Sequence, residues 1–325
     1  MLLDIQGVTT TFPSASGIVR AVNDVSFSID RGEVVAVVGE SGSGKSVTAL
    51  SVTRLVPQPP ATIEAGKAFL DGEDLLALPP AQLRKRLGSK IAMLFQNAYA
   101  ALHPVRRVGD QLVQTVMQLR GVSRSEAKTI ARTILTDIGF SDPEDIMGSF
   151  AFQISAGDAQ RAMLALALAG QPDLLIADEP TSLLDAIAQD EILTLLKQIQ
   201  ERTGMAIWMI THDFGVVSRM ADRVVVMYAG RVVETGAAKA VLQEPLHPYS
   251  QGLIASVPAG LSHEELRQIP GEIPDLTALP SGCSFRPRCP KAFGACAAKL
   301  PGTIDQPGGR QARCWLYDTT LEAAE

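Results

Sequence analysis

The chain has 325 residues, 46% of them hydrophobic, and a formal charge of −6. That gives room for two domains with real cores, and the acidic balance disfavours a protein that lives on nucleic acid. No uninterrupted apolar run nears the roughly 18 residues of a membrane-crossing helix, and MLLDIQGVTT has neither the basic nor the apolar segment of a secretion leader, so a soluble, cytosolic protein is expected.

The first apolar run, VVAVV at 34–38, shows no in/out alternation and reads as a strand buried on both faces. GESGSGKS follows at 39–46, and then the apolar SVTALSVTRLV, expected to be a helix. Glycine-rich loop, lysine and serine between strand and helix fit a phosphate-binding loop better than a turn with an incidental lysine: the backbone would wrap phosphate, Lys45 would reach the β and γ phosphates, and Ser46 would hold Mg²⁺.

IAMLF at 91–95 is the next expected strand and ends at Gln96. From about 97 to 170 the pattern is helical. In SRSEAKTIARTILTDIGF, Ala127, Ile130, Ala131, Ile134, Leu135 and Ile138 make one stripe. Ser123 with Glu126 reads as a capping box and Gly139 as the stop. FQISAGDAQR precedes the apolar AMLALALAG, with small residues and a hydroxyl where four backbone N–H groups lack partners. Such a helix start is an anion site or an ordinary N-cap.

LLIA at 174–177 runs into Asp178 and Glu179, MAIWMI at 205–210 into Thr211-His212, and RVVVM at 223–227 completes the set. Ligands of open α/β sheets bind beyond the carboxyl ends of the strands, which is where Gln96, Asp178, Glu179 and His212 would stand. A carboxylate ending a buried strand is costly unless its charge is met; Mg²⁺ would meet that of Asp178, and Glu179 could polarise an attacking water.

Beyond about 236 the chain turns Pro- and Gly-rich, as in IPGEIPDLTALPSGCSFRPRCP, which cannot hold long helices. Cys283, Cys289, Cys296 and Cys314 are the only cysteines, spaced C-x5-C-x6-C-x17-C rather than as zinc-ribbon pairs. Four thiolates on irregular loops can enclose a [4Fe–4S] cluster, or they can pack unligated in a small core.

GESGSGKS, FQNAYAALHP, ISAGDAQR, LLIADEPTSLLD and THD stand in the order and spacing of ATP-binding cassette (ABC) transporter ATPases, which the chain resembles over about residues 1–235. HPYSQGLIASVP, IPGEIPDL and the cysteine-bearing GCSFRPRCPKAF resemble the C-terminal extension of dipeptide and oligopeptide importer ATPases. The resemblance implies a P-loop NTPase (RecA-like) α/β core with a mostly parallel sheet, a helical subdomain over about 97–170, and a small irregular C-terminal domain over 236–325. It also implies an ATPase subunit on the cytoplasmic face of the inner membrane. Its partners would be a second ABC ATPase, two membrane permeases and, indirectly, an extracytoplasmic binding protein, with no nucleic acid.

By the same resemblance, Gly39, Glu40, Ser41, Gly42, Ser43, Gly44, Lys45 and Ser46 are Walker A, and Asp178 is the Walker B aspartate. Glu179 is the catalytic base, Gln96 the Q-loop residue serving Mg²⁺, Asp185 the D-loop residue, and His212 the switch histidine. Phe12 is the adenine-stacking aromatic. Ser155 and Gly157 belong to the signature that grips ATP across a dimer. For the four cysteines the resemblance implies a [4Fe–4S] cluster, in a structural role. Alternatives are a subunit importing nickel, glutathione or glycosides, or a soluble ABC protein acting on ribosomes or DNA.

The signature departs from Leu-Ser-Gly-Gly: here it is Ile154-Ser155-Ala156-Gly157, followed by Asp158. Ala156 puts a methyl where backbone approaches phosphate. A charge at Asp158 about 6 Å from a γ-phosphate would cost on the order of 3 kcal/mol. A heterodimer with one degenerate ATP site is expected, against a homodimer tolerating both changes.

Overall fold

The computed structural model describes residues 1–256 and 269–318. The last two residues of HPYSQGLIASVP lie outside that range. The chain forms two compact units, one of Met1–Ile29, Val34–Ala77 and Thr211–Glu325, the other of Asp30–Glu33 and Leu78–Ile210.

In the first unit, Leu3–Ser14 and Gly17–Ile29 form an antiparallel hairpin, and Leu3–Ser14 also pairs antiparallel with Thr62–Leu70. A second set of strands is built on Val34–Val38, whose five residues are all buried and which pairs in parallel with Arg223–Tyr228. Arg223–Tyr228 turns back antiparallel onto Arg231–Ala237 through Ala229 and Gly230, at φ 48° and 79°. Both are left-handed, as a two-residue turn matched to strand twist requires. Arg231–Ala237 then pairs with Arg310–Ala312, which pairs with Ile304–Gln306. C-terminal residues thus complete a sheet begun by the strand before the glycine loop.

Buried Glu234 fastens this arrangement. Its carboxylate accepts the backbone N–H groups of Leu246 and His247, at 2.9 Å each, and the Arg310 guanidinium at 3.0 Å. A buried charge needs such a full set of donors.

The second unit holds three parallel strands, Ile91–Leu94, Leu174–Asp178 and Ala206–Ile210. The runs without alternation are thus buried strands, as their composition predicts, except that Phe95, expected to end the first of them, falls outside Ile91–Leu94 and is exposed. Its helices include Val108–Arg120, Arg124–Asp137, Ala156–Leu168 and Ala186–Thr203. Ser123 and Glu126 form the expected capping box, and Gly139 follows at φ 91°. Of the stripe, Ala127, Ala131, Ile134, Leu135 and Ile138 are buried and Ile130 is half-buried.

One element is shorter than its sequence implies. The helix after the glycine loop spans only Lys45–Val52, although the apolar pattern runs to Val56. Arg54 sits at φ 55°, and the amides of Leu55 and Val56 both return to the Leu50 carbonyl, which closes the helix there.

Candidate functional site

The glycine loop lies wholly in the first unit. Gly39, Gly42 and Gly44 take φ values of 153°, 81° and 100°, which side chains resist. A Cβ on Gly39 would overlap the Met227 carbonyl oxygen, and one on Gly44 that of Ala21. Ser41 and Gly42 are exposed, whereas Ser43, Gly44 and Lys45 are buried and Ser46 is half-buried. The Lys45 ammonium donates to the carbonyls of Gly39 at 2.7 Å and Glu40 at 2.9 Å. The loop therefore curls around its own lysine, with the Ser43 amide closing on the Glu40 carbonyl at 3.1 Å. Phe12, half-buried on the Leu3–Ser14 strand, pairs with Val19.

Thr211 donates its amide to the Val37 carbonyl at 3.2 Å, and His212 follows, exposed. Asp213 caps the next helix, Phe214–Met220, accepting from Gly215 and Val216.

In the second unit, Asp178 ends its strand and Glu179 turns out of it at φ 46°. A non-glycine residue held there costs about 1–3 kcal/mol, a strain that clusters at functional sites. The Glu179 amide is anchored on the Ile210 carbonyl at 2.9 Å. Gln96 is exposed; its Nε2 donates to Ser182 Oγ at 3.3 Å, and Ser182 donates to the Glu179 carbonyl at 3.2 Å. Ser182 thereby joins Gln96 and Glu179, a link that no spacing in the sequence announces. Asp185 is the N-cap of Ala186–Thr203, its Oδ1 accepting from Ile187 at 3.0 Å and Ala188 at 2.9 Å.

Ser155 is the N-cap of Ala156–Leu168, so the ordinary-cap reading holds locally. Its hydroxyl also donates to Asp158 Oδ2 at 2.7 Å, and Asp158 Oδ1 pairs with Arg161 at 2.9 Å. Arg161 is also 3.8 Å from Glu191 and lies over the Phe140 ring, 5.1 Å from its centroid. Asp158 is therefore not the free charge on which the expected repulsion rests. Gly157 could accept a methyl at ordinary contact with Ala188. Tyr99 Oη, from the segment after Gln96, donates to the Ile154 carbonyl at 2.9 Å.

The four cysteines line one small pocket of about 10 Å³, with His247, Phe285 and Trp315 among its walls. None of the four is in a disulfide. Burial raises Cys283, Cys289 and Cys314 above the ordinary thiol range, Cys314 to about 11. No group of three or more His, Cys, Asp or Glu side chains among the described residues is arranged to hold a metal ion. The expected iron–sulfur site thus finds no support. Cys283 and Cys289 instead pack against a core containing Val38, Tyr228, Tyr249 and Phe285.

A buried strand opening into a glycine loop and helix, with a second buried strand ending in Asp178-Glu179, defines a P-loop nucleoside triphosphatase. The model for "ABC transporter" matches residues 22–182, and that for "Oligopeptide/dipeptide transporter, C-terminal region" matches 233–296. The chain is 42% identical to the probable D,D-dipeptide transport ATP-binding protein DdpD of Escherichia coli, covering 97% of this chain and 96% of that one. It is 40% identical to the dipeptide transport ATP-binding protein DppD of Bacillus subtilis, covering 99% and 97%. Among solved structures, the post-hydrolysis dimer of the ATP-binding cassette MJ0796 with ADP and Pi superposes with a TM-score of 0.65 at 27% identity, over 73% of this chain and 98% of that one. The chain belongs to the ABC transporter ATP-binding proteins, in the dipeptide and oligopeptide branch, and is an ATPase with the cassette fold. Among the described residues no helix is long and apolar enough to cross a membrane.

Proposed function

We propose that this chain hydrolyses ATP to drive import of dipeptides or oligopeptides through a membrane complex. The observation that carries this is the presence in one chain of GESGSGKS, Asp178-Glu179 and the oligopeptide-type C-terminal region at 233–296. On this reading the cassette spans about residues 1–235 and the extension the remainder. The loop amides and Lys45 hold the triphosphate. Ser46, Gln96 and Asp178 serve Mg²⁺, which when bound neutralises phosphate charge. Glu179 orients a water and takes its proton, and His212 stabilises the γ-phosphate end. Phe12 stacks on adenine.

The same proposal makes the complex a heterodimer of ATPases, with Asp185 and the Ser155–Gly157 turn facing the partner. Exposed Phe152, Leu183 and Ile187, at 71%, 61% and 76%, support a covered face there. The degenerate-site reading gains support from Ser155, whose hydroxyl is spent on Asp158 rather than left for a phosphate. Phe95, Tyr99 and Val105, exposed by 39%, 43% and 76%, support docking on two permeases at the cytoplasmic face of the inner membrane.

The test is transport. The complex isolated from membranes through a tag on this chain is placed in proteoliposomes with its binding protein and a labelled peptide. ATP-dependent accumulation, competed by unlabelled peptide, is expected. ATP-driven uptake of nickel, glutathione or a glycoside with none of peptide would overturn the substrate assignment.

A further inference from the structure

Glu40, the second residue of the glycine loop, is held from three directions. Its carbonyl receives Lys45 and the Ser43 amide. Its amide donates to Tyr249 Oη at 2.8 Å. Its carboxylate takes both guanidinium arms of Arg288, at 2.8 and 2.9 Å. The last two partners come from the C-terminal region: Tyr249 from HPYSQGL, and Arg288 from the segment between Cys283 and Cys289.

The geometry is that of a built clamp. Arg288 is only 4% exposed and Tyr249 completely buried. Arg288 Nε donates to the Pro270 carbonyl at 2.9 Å, and its guanidinium lies over Tyr228 and Phe285, 5.8 and 6.0 Å from their ring centroids. Tyr228, Tyr249 and Phe285 contact one another with centroids 4.6 to 5.4 Å apart. A bidentate guanidinium–carboxylate pair fixes angle as well as distance. The carbonyl that receives Lys45 belongs to the residue so gripped.

We propose that Arg288 and Tyr249 are positioning residues for the phosphate loop, acting through Glu40, so that the C-terminal four-cysteine segment sets how well the loop receives a triphosphate. This rests on the reading of GESGSGKS as the ATP-phosphate site. It also gives the C-terminal extension a task in the ATPase cycle that needs no contact with nucleotide.

The test is MgATP binding to the full chain by calorimetry, with turnover of the assembled complex. Lys45→Ala should lose binding. Arg288→Met should weaken it roughly tenfold, the loss of one charged hydrogen-bonded pair. Tyr249→Phe and Arg288→Lys should each weaken it roughly threefold. Glu40→Gln combined with Arg288→Met should be no worse than Arg288→Met alone. In the complex the Arg288 variants should raise KM for ATP and leave kcat within about twofold. If Arg288→Met does not fold, Tyr249→Phe and Arg288→Lys decide. Wild-type affinity in folded Tyr249 and Arg288 variants, with Lys45→Ala defective, would overturn the positioning role alone. Undiminished binding by Lys45→Ala would overturn the phosphate-loop reading and the clamp with it.

Discussion

Ser155 and Asp158 share two hydrogen bonds: the Ser155 hydroxyl donates to the Asp158 carboxylate at 2.7 Å, and the Asp158 amide donates back to the same oxygen at 3.1 Å. The helix start is thereby closed on itself. A serine so engaged caps its own helix well and has less to offer an external phosphate.

Combining Ala156→Gly with Asp158→Met frees the Ser155 hydroxyl and lets backbone approach. In the complex with its partner ATPase, turnover should rise toward about twice the wild-type value, as a second site begins to work. Unchanged turnover would contradict the asymmetric pair.

Gly39→Ala places a methyl on the Met227 carbonyl oxygen at a backbone φ of 153°. Strain and overlap together should cost about 2 kcal/mol or more. Denaturant unfolding of the full chain measures this, and a variant as stable as wild type would show that the loop can relax elsewhere.

His247 is completely buried, and burial pushes its imidazole down from 6.5 to about 3. Its Nδ1 accepts the Tyr249 amide at 3.0 Å, a bond that needs the neutral ring. Between those two values the unfolded chain binds a proton that the native chain does not, so stability falls as pH drops below 6.5. The slope should be about 1.4 kcal/mol per pH unit from this group, and nothing above 6.5. His247→Asn should flatten that part of the curve in pH-dependent unfolding; an unaltered slope would contradict it.

The chemistry-bearing strands are plain in the sequence, because a short apolar run without alternation that stops at a polar residue suits a strand buried on both faces better than any amphipathic element. The glycine loop and the Ser123–Glu126 cap are legible for a related reason: their spacing is their mechanism. Arg161, three residues after Asp158, is visible too, yet only the helix geometry shows that it takes up the carboxylate. The grip of Arg288 on Glu40 joins residues 248 positions apart, and nothing periodic or local records such a contact. The helix after Lys45 is shorter than its apolar pattern, because Arg54 in the left-handed region ends it, and no residue type there announces that conformation.

The most direct test of the account is Glu179→Gln in the membrane complex, with MgATP binding, ATP turnover and peptide uptake measured on the same preparation. The account predicts retained binding, with turnover and uptake both reduced at least about a hundredfold. Turnover and uptake at wild-type rates would contradict it.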